Sequence, residues 1–149
     1  MRYYRKTCSE CDCFINQLPE EAYAQVRSKS FKTGEVLCNG DSLLDRILFV
    51  CEGSAQAFQL NNKNEKNNVS LVQSGTILGL QELIYSEPCW NYSVEALEDC
   101  QVMVLDAEVF MASLMNSPGV LNQVLMHTIK REQSVQRQLV AVFEAEDLD

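Results

Sequence analysis

The chain has 149 residues, 46% of them hydrophobic and only 22% charged, which suits one domain with a sizeable core and argues against disorder. Its formal net charge of −9, with the basic residues scattered, opposes a duplex DNA surface, and no apolar run approaches the ~20 residues of a membrane helix. The amino terminus, Met1-Arg2-Tyr3-Tyr4-Arg5-Lys6, lacks the apolar centre of a secretory leader, so a cytoplasmic protein is expected, without membrane association. The cysteine count of 7 is odd, which fits reduced thiols or metal ligands better than a disulfide framework.

Residues 1–16 form an amino-terminal segment that carries Cys8, Cys11 and Cys13 and shows no apolar period. Leu18-Pro19-Glu20-Glu21 opens a helix expected to run to about residue 28, because proline and acids suit a first turn and Leu18, Tyr23 and Val26 share a face. The texture then changes to short alternating segments ended by Gly, Asn and Asp, with strands expected over 31–33, 35–38, 46–51, 54–60 and 69–73. Residues 61–68 are wholly polar and are expected as the solvated tip of a hairpin. Two further strands are expected over 92–97 and 100–105.

Between these strands, residues 75–97 begin as a turn and a short apolar strand. Two glycines four apart follow (Gly75 and Gly79), then one helical turn, a loop marked by Pro88 and a return strand. A short helix between two strands gathers backbone N–H groups around a small concavity, which is an anion cradle in form. From Asp106, a good N-cap, the period turns helical over 107–115, and Asn116-Ser117-Pro118-Gly119 breaks it. A long helix is expected over 120–144. Its seam with alternating 4–3 spacing reads Leu121, Leu125, Thr128, Glu132, Val135, Leu139 and Val142, apolar at both ends and polar in the middle, which suits a homodimer. The alternative is a helix that packs its first two turns on its own roll. The tail is acidic, with Glu144, Glu146, Asp147 and Asp149.

This order of elements resembles the cyclic-nucleotide-binding domain in the form carried by CRP/FNR regulators. The likeness rests on Gly34-Glu35-Val36-Leu37 with Gly40-Asp41, on Leu48 to Gly53, on the cassette at 75–97, and on Ala96-Leu97-Glu98-Asp99 with Val104-Leu105-Asp106. The resemblance implies a mainly β fold with flanking helices (α+β). It would be a double-stranded β-helix jelly roll over 17–118, with an N-terminal helix, followed over 119–149 by a long C-terminal dimerisation helix and the acidic tail.

The resemblance also implies a pocket built from Gly79, Leu80, Gln81, Glu82, Cys89, Trp90, Asn91 and Tyr92. Members that bind cyclic AMP place Glu directly after the second glycine and Arg in the loop after the short helix. Here those places hold Leu80 and the base-free run Pro88-Cys89-Trp90-Asn91-Tyr92. A cyclic nucleotide or other small anion would then depend on backbone N–H groups alone, without a charge-assisted bidentate contact. Leu80, Trp90 and Tyr92 are expected to fill the pocket, as in the oxygen- and redox-sensing branch, with Glu82 on the helix surface. The same branch makes Cys8, Cys11 and Cys13 candidates for an iron–sulfur cluster or zinc, with a fourth ligand from Cys38, Cys51, Cys89 or Cys100. His127, the single histidine, sits on the long helix and is expected to pack rather than ligate.

One histidine cannot supply the metal set of cupin-type enzymes, and no nucleophile–base pair can be assembled, so an enzyme is not expected. The chain ends ten residues past Leu139 with no second basic helix, so DNA binding by this chain alone is not expected. The function expected is a regulatory or sensory module that forms a homodimer and signals through a protein partner. The alternatives are a redox or metal sensor, a weak cyclic-nucleotide binder, or the N-terminal half of a DNA-binding regulator.

Overall fold

The computed structural model describes residues 14–129. A 3-10 turn (Phe14–Gln17) and a single helical turn, α1 (Glu20–Tyr23), lead into β1 (Arg27–Phe31), β2 (Val36–Cys38), β3 (Arg46–Glu52), β4 (Ala55–Leu60) and β5 (Lys66–Val72). After β6 (Ile77–Leu78) come the short helix α2 (Leu80–Ile84), β7 (Ser93–Ala96), β8 (Cys100–Asp106) and α3 (Ala107–Asn116). A last helix, α4, is described over residues 118–129.

The strands nest as antiparallel pairs: β1 with β8, β2 with β7, β3 with β6 and β4 with β5. They form two four-stranded sheets, ordered β1-β8-β3-β6 and β2-β7-β4-β5, which is the jelly-roll arrangement expected. The central strands of the first sheet, β8 and β3, are buried on both faces. Ile47 and Phe49 of β3 and Met103 and Leu105 of β8 pack against Tyr23, Phe110, Val120 and Val124 of the helices. Leu48, Val50 and Val102 point the other way, into the roll, and meet Ala55, Ala57, Val94 and Trp90. That two-sided burial is why Ile47 to Val50 read as an unbroken apolar run rather than an alternation.

Three boundaries differ from the sequence expectation. The first helix ends at Tyr23 rather than about residue 28, because Arg27 to Phe31 pair in register with Val104 to Cys100 of β8. Cross-strand backbone bonds outweigh the weak helical preference of a segment with little apolar content. Leu18, Tyr23 and Val26 are nonetheless all buried together, so the shared face holds. The hairpin tip is shorter than the polar octet: the Asn61 side chain accepts from the backbone N–H groups of Lys63 and Glu65, and Lys66, Asn67 and Asn68 already pair with Leu60, Gln59 and Phe58. As a sheet edge, β5 is exposed along nearly its whole length, so it needs no apolar residues to form. The predicted break at 116–119 narrows to Ser117, with Pro118 at the start of α4, where its missing N–H costs nothing.

Asp106 caps α3 as expected, its carboxylate accepting from the Glu108 and Val109 N–H groups. On α4, Val120 and Val124 pack into the core, while Leu121 and Leu125 of the predicted seam are exposed and Thr128 turns its hydroxyl back to the Val124 carbonyl. Glu132, Val135, Leu139 and Val142 lie outside the described residues. His127 packs at an edge of the helical layer, its Nε2–H donating to the Gly75 carbonyl and its ring 6.1 Å from that of Phe49.

Candidate functional site

The cassette is a strand, a turn, α2 and a returning loop, and its geometry begins at Gly79. This residue sits at φ +96, a left-handed conformation that glycine takes without steric cost. The chain then turns from β6 into five helical residues and leaves them through a bond from the Glu87 N–H to the Glu82 carbonyl (2.8 Å). The loop beyond is tied to the turn after β2. Trp90 exchanges backbone hydrogen bonds with Asp41 and Ser42 (2.9 and 3.0 Å), and the Leu44 N–H reaches the Pro88 carbonyl (2.9 Å). Cys89 forms an isolated antiparallel bridge with Leu43 within the same ladder.

This ladder carries Trp90 into the roll. Its indole is only 3% exposed, and a Cβ placed on Gly79 would stand 3.0 Å from Cη2 and 3.3 Å from Cζ3 of the ring. Indole and glycine are therefore fitted to each other. A side chain at position 79 and the indole compete for the same space.

Glu82 is the largest departure from expectation. It is not on the helix surface but 1% exposed, and its Oε2 faces the Asn91 N–H at 3.5 Å. Three positions after Gly79, it shares that residue's side of the helical turn. Burial, then the Glu82 carboxylate, push the Cys38 thiol up to about 12, with Arg46 acting the other way. The same two causes, in the same order, raise the Tyr92 phenol to about 12. Cys38 and Tyr92 thus stay protonated beside a carboxylate, and the interior here is electronegative.

Of the eight predicted pocket residues, the structure brings together Gly79 with Trp90, and Glu82 with Asn91 and Tyr92. Leu80 does not fill the pocket. It packs with Leu83 on the helical-layer side of the roll, because residues one apart on a helix face different ways. Gln81 is exposed, and Cys89 is half-buried in the bridge to Leu43. Sequence reasoning named Cys38 only as a possible metal ligand and Gly40 only as a turn residue, and put neither in the pocket. The Cys38 thiol lies within the electrostatic reach of Glu82, and a Cβ on Gly40 would meet the Tyr92 backbone at 3.3 Å. The spacing of Gly79 and Glu82 was the available signal for the buried carboxylate. Beyond Asn91 and Tyr92, a cleft of about 240 Å³ is lined also by Asp41, Phe58 and Gln59, and none of the described residues that line it is basic.

Cys8, Cys11 and Cys13 lie outside the described residues. Among those described, no three His, Cys, Asp or Glu side chains stand close enough to hold a metal ion. Cys38, Cys89 and Cys100 are free thiols, and the Cys100 Sγ donates to the Ser54 and Glu98 carbonyls at 3.3 Å. No helix among the described residues is long and apolar enough to cross a membrane.

The model of the cyclic nucleotide-binding domain family matches residues 28–117. The potassium channel SKOR of Arabidopsis thaliana is 26% identical over 98 residues, a match that takes in 66% of this chain and 11% of the channel. The chain therefore corresponds to a small part of that relative's length. The sensor domain of the transcriptional regulator DNR from Pseudomonas aeruginosa superposes with a TM-score of 0.69 at 10% identity, over 91% of this chain and 93% of that one. The Thermus thermophilus catabolite activator protein superposes with a TM-score of 0.61 at 18% identity, over 87% of this chain and 62% of that one. These superpositions show that the chain shares the fold of both structures.

Proposed function

The chain belongs to the cyclic nucleotide-binding domain family, and on that premise we propose that it is a non-enzymatic regulatory module whose cassette is closed to a cyclic phosphate. Its output is then a protein contact made as a homodimer. The observation that carries this reading is the fit of the Trp90 indole against Gly79, which fills the cassette with the chain's own side chain. Two further features support it. No basic residue occurs between Gly75 and Glu98, so the cassette's own residues offer a phosphate no charge-assisted contact, and the one buried charged residue in the cassette is the acid Glu82. The homodimer reading rests on α4, where Leu121, Leu125, Met126 and Ile129 are 43–51% exposed on the side away from the buried Val120 and Val124.

A thermal-shift titration with cyclic AMP and cyclic GMP at millimolar concentration tests the closed cassette. A ligand that binds only the folded state adds RT ln(1 + [L]/Kd), about 2.7 kcal/mol at a hundredfold excess over Kd. No rise in midpoint is expected with either nucleotide. A dose-dependent rise with one and not with matched AMP or GMP would overturn the closed reading and make the protein a nucleotide sensor.

A further inference from the structure

A carboxylate in the interior of a jelly roll is costly unless it is well supplied with donors. Glu82 is 1% exposed, and the donor that reaches it among the described residues is the single Asn91 N–H, at 3.5 Å. Glu82 is in neither of the ion pairs of the described residues, Arg46 with Asp45 and Lys66 with Glu95, although the Arg46 charge reaches the neighbouring Cys38. The two side chains raised by its charge, Cys38 and Tyr92, are themselves acids. A side chain placed this way has not been buried for packing, since Leu or Met would fill the same volume without the cost.

We propose that Glu82 is the cassette's resident anion: its carboxylate faces the Asn91 N–H from the Gly79 side of α2 and stands where an external oxyanion would bind, so the roll is held filled without a ligand. This rests on the closed-cassette reading above and adds its chemical determinant. Trp90 excludes by volume and Glu82 by charge. The class of ligand that Glu82 stands in for is a small oxyanion, such as phosphate or a phosphate ester. Removing the carboxylate leaves an amide donor with no acceptor and a recess the size of a carboxyl group, both of which an oxyanion satisfies.

The test compares wild type, Glu82→Ala and Glu82→Gln by thermal shift in inorganic phosphate and in cyclic AMP, each at about 10 mM, against sodium chloride of equal ionic strength. Wild type is expected to respond to neither. Glu82→Ala is expected to gain about 3 °C in at least one of the two, as for a ligand present at roughly tenfold its Kd. Glu82→Gln preserves shape and serves a second readout, the Asn91 amide proton in a 15N-correlated NMR spectrum. That proton should move upfield when its charged acceptor becomes neutral. A folded Glu82→Ala protein that ignores both probes, or an Asn91 amide unmoved in Glu82→Gln, overturns the resident-anion role and leaves the closed cassette standing. If Glu82→Ala does not fold, the Asn91 amide decides. A response of the wild type itself to cyclic AMP would instead overturn the closed cassette, and this inference with it.

Discussion

Cys38, buried in the roll, and Tyr92, half-buried at the cleft, both feel Glu82, and their protonation ties the site to stability. Both hold their protons to about pH 12 in the folded chain, whereas the unfolded chain releases them near 9 for the thiol and 10 for the phenol. Over that interval the unfolded state binds fewer protons, so unfolding becomes easier as pH rises. The stability that these groups hold below pH 9 is therefore lost between about 9 and 12. Urea midpoints measured from pH 8 to 11 should fall, and the fall should be shallower in Cys38→Ala, which lacks one of the two groups. An identical slope in the two proteins would contradict the burial argument. The cassette's other residues divide between the legible and the hidden at this same scale. Gly79 could be singled out from its spacing to Gly75, and Trp90 from its loop, but nothing local says that the indole turns inward. That follows from the backbone ladder between residues 88–90 and 41–44, which are almost fifty positions apart in the chain.

Elements with a complete local signal form as read. The helix α3 is one: Asp106 caps it with two N–H contacts, 2.9 and 3.1 Å, and Phe110 and Leu114, one turn apart, enter the core together. Asp106→Ala should cost about 1 kcal/mol, read as a lowered urea midpoint with an unchanged slope. A loss within error would mean that packing of Phe110 alone holds the helix start. Elements whose signal is not local are those that moved. The strand β1 consists of Arg-Ser-Lys-Ser-Phe, with one buried residue at its end, and exists because β8 offers it a complete ladder. The polar start of β5 is paired to β4 for the same reason. In both, hydrogen bonds to a distant strand replace an apolar pattern that the segment does not have.

At the scale of the molecule, the two cores explain how the roll and its last helix are joined. Tyr23, Phe49, Met103, Phe110, Val120 and Val124 form one continuous layer, so α4 is anchored by one face and presents the other, with Leu121, Leu125, Met126 and Ile129, to solvent. Both readings of the long helix thus bear on it, the first turns packed on the roll and the opposite face free for a partner. If a second copy is that partner, sedimentation at micromolar concentration should give twice the 16.9 kDa chain mass. Leu121→Glu combined with Leu125→Glu should return it to one chain without lowering the thermal midpoint of the roll, since neither side chain is in the core. A wild-type mass of a single chain at 100 μM would count against the homodimer.

The jelly roll was readable from residue order because its signals are short-range: turn glycines, alternating apolar segments, an N-cap, and the switch to helical period at Asp106. The missing bases in the cassette were equally plain, since an absent side chain needs no coordinates. The state of the pocket was decided only when the strands closed. Burial is a property of what lies opposite, so Glu82 could be placed in a helical turn by its neighbours but set inside the roll only by Asn91, Tyr92 and Cys38. For the same reason Leu80, beside the glycine in the chain, ended in the other core. The tertiary structure turned an apparently exposed acid into a buried one.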